Sequence, residues 1–149
     1  VQALVARFPD IEVVYPVHPN PNVCDTVMPM LGGLSRVHLI EPVNYLEVVG
    51  LLKRCHFVLT DSGGIQEEAP ALGKPVLVMR AETERPEAVA AGVARLVGTD
   101  TDRIIEEASR VLEDRDHYQA LSRGASPYGD GRAAGRISEL CYAFLADGG

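Results

Sequence analysis

The run Phe57-Val58-Leu59-Thr60-Asp61-Ser62-Gly63-Gly64-Ile65-Gln66-Glu67-Glu68 carries the clearest chemical signal in the chain. An apolar strand empties there into a Ser-Gly-Gly turn that opens a helix. At such a junction backbone N–H groups lack partners and the helix dipole is positive, so Ser62, Gly63 and Gly64 form a natural seat for a phosphate or diphosphate. Glu68 lies about one turn further in. Helical side chains lean back toward the N-terminus, which brings its carboxylate within reach of a neutral diol beside the phosphates, such as a ribose 2′,3′-pair. The combination points to a nucleotide more than to bare phosphate.

Two other readings of the same residues stand beside that one. Asp61-Ser62-Gly63-Gly64 is also the surround of the nucleophile in chymotrypsin-like proteases, but the strand and helix signals alternate here, without the many short strands of a double β-barrel. In the plainer reading, Gly63 and Gly64 only permit a tight turn while Glu67 and Glu68 complement the helix dipole.

The elements that must position this turn follow from periodicity. The apolar spacing of Val1, Leu4, Val5 and Phe8 is that of a helix already under way. Strands are predicted at 11–17, 37–40, 56–60, 75–79 and 94–97, and helices up to about Leu31, over 45–54, after Ser62, from Arg85-Pro86-Glu87, over 102–113 and over 133–145, with a second short helix after 113. In the helix over 45–54, Leu46, Val49 and Leu52, with Val48 and Leu51 alongside, are expected to form a broad core face. Pro70 predicts that the helix after Gly64 is short or kinked, with Ile65, Ala69 and Leu72 toward the sheet and Gly73 as its stop. A loop runs from Ser126 to Gly131, and the last helix presents Ile137, Leu140, Cys141 and Phe144. Alternation of this kind implies an α/β fold: one Rossmann-like parallel sheet flanked by helices, with ligands at the carboxyl ends of the strands. Thr60, Met79 and Val17 end strands, so Ser62 to Gly64, the loop from Arg80 to Arg85, and His18 are expected to gather at one rim.

Composition narrows the partners. At 149 residues and 46% hydrophobic, the chain suffices for one ordinary core. A formal charge of −7, with no Lys/Arg cluster, argues against nucleic acid and against an anionic membrane, so an anionic ligand must be held locally. Cys24, Cys55 and Cys141 are odd in number and widely spaced, which fits buried, reduced thiols in the cytosol and no structural metal. No run approaches a membrane span. The start at Val1, without Met or a helix N-cap, leads to the expectation that the chain is a fragment.

Thr60 to Pro70, Leu72-Gly73-Lys74-Pro75-Val76-Leu77-Val78-Met79-Arg80 and Thr83-Glu84-Arg85-Pro86-Glu87-Ala88 closely resemble the non-hydrolysing UDP-N-acetylglucosamine 2-epimerases. Tyr15-Pro16-Val17-His18-Pro19-Asn20-Pro21, Leu96-Val97-Gly98-Thr99-Asp100 and Pro127-Tyr128-Gly129-Asp130-Gly131 match as well, so the resemblance spans nearly the whole chain. It implies that residues 1–149 are the UDP-binding, C-terminal Rossmann-like half of a two-domain enzyme of glycosyltransferase-B architecture. By motif position, Ser62, Gly63 and Gly64 would hold the diphosphate, Glu68 the ribose hydroxyls, and Arg85 a further part of the substrate. An arginine fork suits phosphate oxygens, although pairing with Glu84 or Glu87 is the plain alternative. Glu41 to Val48 match the uracil-contacting stretch, with backbone near Val43. At Val48 an aromatic residue common in the family is missing. His18 keeps three readings: a turn histidine, a substrate ligand, or part of a second, activating nucleotide-sugar site. His38, His56 and His117 stand at no metal or triad spacing and are read as structural.

The implied reaction inverts C2 of the sugar of UDP-N-acetylglucosamine, giving UDP-N-acetylmannosamine, through elimination of UDP to a 2-acetamidoglucal and its re-addition with protonation from the other face. It needs a base and an acid at C2 and charge stabilisation of the departing diphosphate. The resemblance places the proton-transferring carboxylates in the other domain, so no catalytic residue is expected here, and it implies no cofactor and no metal. UDP and UDP-N-acetylhexosamines are the expected ligands, and a homodimer the expected state of the full-length protein. A glycosyltransferase of the same architecture, a hydrolysing epimerase and a non-catalytic nucleotide-binding module remain the rival readings.

Overall fold

The computed structural model describes residues 1–124 and 127–146. Ser126, where the expected loop begins, lies outside the described residues. In chain order the elements are α1 (Gln2–Arg7), β1 (Val13–Pro16), α2 (Pro21–Leu31), β2 (Val37–Ile40), α3 (Tyr45–Arg54), β3 (Val58–Thr60), α4 (Gly63–Ala71), β4 (Val76–Val78), α5 (Pro86–Ala90), β5 (Ala94–Leu96), α6 (Thr101–Glu113), α7 (Arg115–Leu121) and α8 (Ala133–Ala146). Up to α6 the order is the alternation of helix and strand that the sequence pattern predicts, and two more helices follow. The α/β class, with parallel strands flanked by helices, is the one observed.

Every strand pair is parallel, with Val58 opposite Val76, Val76 opposite Ala94, and Val13 opposite Val37. The expectation of one continuous sheet needs correction: the ladders are β1–β2 and, separately, β3–β4–β5. Apolar contact, not strand pairing, joins them. Leu4 of α1 packs into the cluster around Leu77, while its neighbour Val5 packs with Leu31 and Val37. Ile11 borders both clusters. Arg36 then fastens α1, donating from Nη1 to the carbonyls of Phe8 (2.6 Å) and Ile11 (3.0 Å) and from Nη2 to that of Val5. The Val5 and Phe8 carbonyls close the C-terminal end of α1, where a cation is favoured.

β4 shows why helices are needed on both faces. Val76, Leu77 and Val78 are fully buried, the continuous apolar run of a doubly covered parallel strand. Because side chains alternate along a strand, Val76 and Val78 pack with Leu52, Ala69 and Ala88 from α3, α4 and α5, whereas Leu77 packs with Val97, Ala108 and Val111 on the α6 side.

Several expectations about single elements change. Within α3, Leu52 is buried and Val48 packs beside it, but Leu46 is 79% exposed. Two residues correspond to about 200° around a helix, so a face through Val48 and Leu52 turns Leu46 outward. The capping box between Asn44 and Glu47 fixes where α3 begins. α4 is short, as Pro70 requires, and Pro70 itself is buried in its last turn. Gly73 follows at φ +68°, a conformation that favours glycine. The thiols are less buried than expected: Cys24 and Cys55 are half-buried and Cys141 is exposed on α8, none of them in a disulfide. Burial pushes the Cys55 thiol above its ordinary pKa.

Candidate functional site at the N-terminus of α4

β3 delivers the chain to α4 through a turn built by Thr60. The Thr60 Oγ1 accepts the Ser62 N–H at 3.0 Å, which sets Ser62 as the N-cap of α4 in an extended conformation. The Ser62 side chain makes no capping bond. The first helical bond runs from the Gln66 N–H to the Ser62 carbonyl at 3.3 Å, so the N–H groups of Gly63, Gly64 and Ile65 have no helical acceptor. Gly64 is exposed, and a Cβ built on it would meet nothing within 4 Å. The Ser-Gly-Gly turn therefore presents open backbone donors at the carboxyl end of β3.

The loop after β4 brings Arg85 to this turn. The Arg85 Nη2 lies 4.0 Å from where a Cβ on Gly63 would stand. The alternative pairing of Arg85 with the Glu84 or Glu87 carboxylate is not the observed one: the Arg85 Nε donates to the Glu67 carboxylate, and Nη1 donates to the Glu84 backbone carbonyl at 3.1 Å. The Glu67 bond holds the Arg85 guanidinium above its ordinary pKa. An N-terminal helix dipole and a guanidinium side by side can stabilise a multiply charged anion even in a chain that is net acidic.

Glu68 is half-buried and has no hydrogen bond or ion pair among the described residues, which leaves its acceptors available. Val43 is half-buried in the connection between β2 and α3, while Val48 packs its side chain toward the Leu52 cluster. His18 follows β1 and is exposed. Its Nδ1 accepts the Asn20 N–H at 3.1 Å, and the Asn20 side chain in turn accepts from the Asn22 N–H at the start of α2. Among the described residues, no hydrogen bond or ion pair ties His18 to α4.

Three contributors escaped the sequence reading: Gln66, Thr83 and Tyr128. Gln66 is 1% exposed, and its Nε2 donates to the Ser62 carbonyl at 3.2 Å. Thr83 Oγ1 donates to Gln66 Oε1 at 2.6 Å and accepts the Arg85 N–H at 3.0 Å. Tyr128 Oη donates to the Arg85 carbonyl at 3.3 Å and accepts the Ala88 N–H at 3.2 Å. Burial raises the Tyr128 pKa. The signal for Gln66 was its place one residue after the inward Ile65. For Thr83 and Tyr128 only tertiary proximity reveals the role.

The other histidines have structural surroundings. His38 pairs with Glu12 at 3.0 Å, His56 stacks on Tyr118 at 4.2 Å, and His117 lies 3.6 Å from Glu107. Among the described residues, no cluster of three His, Cys, Asp or Glu side chains could hold a metal ion, and no helix is long and apolar enough to cross a membrane.

A parallel α/β layer with a glycine-opened helix and an arginine at one strand's carboxyl end is the arrangement on which nucleotide-binding α/β folds seat phosphates. The UDP-N-acetylglucosamine 2-epimerase family model matches residues 1–141, and the chain belongs to that family. It is 61% identical over 130 residues to the UDP-N-acetylglucosamine 2-epimerase of Escherichia coli K12, an alignment covering 87% of this chain and 35% of that protein. Among solved structures, the Neisseria meningitidis UDP-GlcNAc 2-epimerase bound to UDP-GlcNAc superposes with a TM-score of 0.91 at 46% identity, covering 95% of this chain and 38% of that one. The Staphylococcus aureus MnaA structure with UDP gives a TM-score of 0.92 at 41% identity over 97% of this chain and 40% of that one. The chain thus spans well under half the length of these relatives.

Proposed function

We propose that this chain is the UDP-binding, C-terminal Rossmann-like domain of a two-domain, glycosyltransferase-B type epimerase that interconverts UDP-N-acetylglucosamine and UDP-N-acetylmannosamine. The observation that carries the reading is the Arg85 guanidinium set beside Gly63 at the open N-terminus of α4. In this reading the N–H groups of Gly63 and Gly64, the Ser62 hydroxyl and Arg85 receive the diphosphate. Glu68 receives the ribose hydroxyls, and the connection at Val43 and the first turn of α3 at Val48 border the uracil. His18 is the residue assigned to a second nucleotide-sugar site, beside the turn role its hydrogen bond already gives it.

The division of labour follows from the chemistry. Elimination breaks the bond between C1 and the diphosphate oxygen as a base takes the C2 proton, leaving 2-acetamidoglucal and UDP. Re-addition forms that bond again as an acid protonates C2 from the opposite face. Charge accumulates on the departing diphosphate, and preorganised donors at a helix N-terminus stabilise it without reorganising. No cofactor is called for on this route, since neither the elimination nor the re-addition transfers hydride or electrons. The base and acid at C2 are assigned to a part of the enzyme outside this chain, so the chain by itself binds UDP but does not turn over substrate. The whole enzyme is read as a cytoplasmic homodimer serving cell-envelope polysaccharide synthesis.

Calorimetric titration with UDP tests the site. The unaltered chain is expected to bind saturably, and a Ser62→Asp, Glu68→Ala double variant to lose at least about tenfold in affinity, because it adds a negative charge at the turn and removes the ribose acceptor. Equal binding by both proteins would put the nucleotide elsewhere.

A further inference from the structure

We infer that Gln66 and Thr83 form a buried strut that presets Arg85 against the N-terminus of α4 before any ligand arrives. The strut rests on the nucleotide reading for the identity of the anion, a nucleoside diphosphate, but not for its geometry. Two anion-binding devices on different elements must converge to hold one diphosphate: the backbone donors of Gly63 and Gly64 on α4, and a guanidinium on the loop after β4. Flexible loops lose such convergence to conformational entropy unless something fixes them.

The fixing groups form an unbroken line. The Ser62 carbonyl accepts from Gln66 Nε2, Gln66 Oε1 accepts from Thr83 Oγ1, and Thr83 Oγ1 accepts from the Arg85 N–H. One end of the line is therefore the N-cap of α4 and the other is the backbone of the arginine itself. Gln66 is inaccessible, so it is not a direct ligand contact, and the Thr83 hydroxyl is already engaged as donor and as acceptor within the line. A buried amide is costly unless both its donor and acceptor are used, and here both are. Glu67 orients the guanidinium, and Tyr128 clasps the Arg85 carbonyl from the far side. A carboxylate partner alone would leave the arginine backbone free to swing. The threonine hydroxyl, as acceptor and donor at once, transmits the position of α4 to that backbone. Gln66 and Thr83 are thus positioning residues for Arg85.

The test separates positioning from ligand identity. In the unaltered chain, NMR exchange of the Arg85 Nε–H with solvent reads whether the guanidinium stays on Glu67, and the Met79 amide, which donates to the Thr60 carbonyl, reports on the sheet. Thr83→Val and, from the other end of the line, Gln66→Leu should each speed Arg85 Nε–H exchange about tenfold with the Met79 amide unchanged, whereas Thr83→Ser restores slow exchange. In parallel titrations Thr83→Val should lower affinity for UDP several-fold and leave that for uridine, which lacks phosphate, unaltered. Unchanged Nε–H exchange in both variants would overturn the strut. So would faster exchange that spreads to the Met79 amide, since the two residues would then serve only the fold. Absence of UDP binding by the unaltered chain, with the exchange pattern as expected, would overturn the nucleotide reading and uphold the strut.

Discussion

α4 and α8 invert what their compositions suggest. α4, with two glycines, a glutamine, two glutamates and a proline in nine residues, buries Gln66, Ala69 and Pro70 completely or nearly so. α8 carries Ile137, Leu140, Tyr142, Phe144 and Leu145 in fourteen residues and buries none of them among the described residues. The difference is one of position. α4 leaves β3 and returns to β4, the central strand, so its inner face has no choice but to pack on the sheet. α8 also lies beyond β5, as α6 does, but α6 packs Ala108 and Val111 under Leu77 while the apolar side chains of α8 stay exposed. A helix acquires a core face from the surface it packs against, and apolar content alone does not supply one.

The sharpest way to break that comparison is to place a charge on the inner face of α4. Ala69→Asp places a carboxylate among Val76, Val78 and Ala88, and should cost about 3 kcal/mol or more, read as a lowered urea midpoint.

A buried polar group that lacks the full satisfaction of Gln66 gives a smaller, pH-dependent effect. His117 on α7 is 9% exposed in its side chain, faces Glu107 at 3.6 Å, and shares that carboxylate with Arg95 from β5 and Arg110 from α6. The Asp114 carboxylate accepts the His117 backbone N–H at 3.0 Å and is lowered in pKa chiefly by that bond. Burial, reinforced by Arg110, outweighs Glu107 and lowers the His117 pKa below its ordinary value of 6.5. The unfolded chain therefore binds the extra proton first. Stability is full above pH 6.5 and falls as pH drops through the lowered value. Urea midpoints measured between about pH 5 and 7.5 should slope in the unaltered chain and flatten in His117→Asn over that window.

The smallest effect belongs to α8. Phe144→Ser should change the unfolding free energy by no more than about 0.5 kcal/mol, because the ring is 68% exposed and contributes little to this core. A loss of more than about 2 kcal/mol by the same urea assay would mean that α8 packs as α4 does, and the contrast would dissolve.

Much of the candidate site was legible in the sequence for a physical reason. A strand, a Ser-Gly-Gly turn and a helix are local objects, and the unpaired N–H groups of Gly63 and Gly64 follow from helix geometry alone. The Pro70 stop and the proline start of α5 are local as well. Arg85 could be singled out from the resemblance, yet its partner could not. Glu84 and Glu87 are its neighbours in sequence, but Glu67, 18 residues away, is its partner in space. Leu46 was misplaced because five apolar residues in ten leave the inward direction of α3 undetermined until the sheet is present.

By itself, then, the sequence determined the class, the alternation of strand and helix, the parallel pairing this implies, and the donor-rich turn at α4, since each depends on residues within a turn or two of one another. Only the tertiary structure decided that β1–β2 and β3–β4–β5 join through apolar contact, that α8 is exposed while α4 is buried, and that Gln66 and Thr83 link the Arg85 backbone to the Ser62 carbonyl. Those are contacts between segments far apart in the chain, and side-chain hydrogen bonds of that kind leave no periodic trace in a sequence.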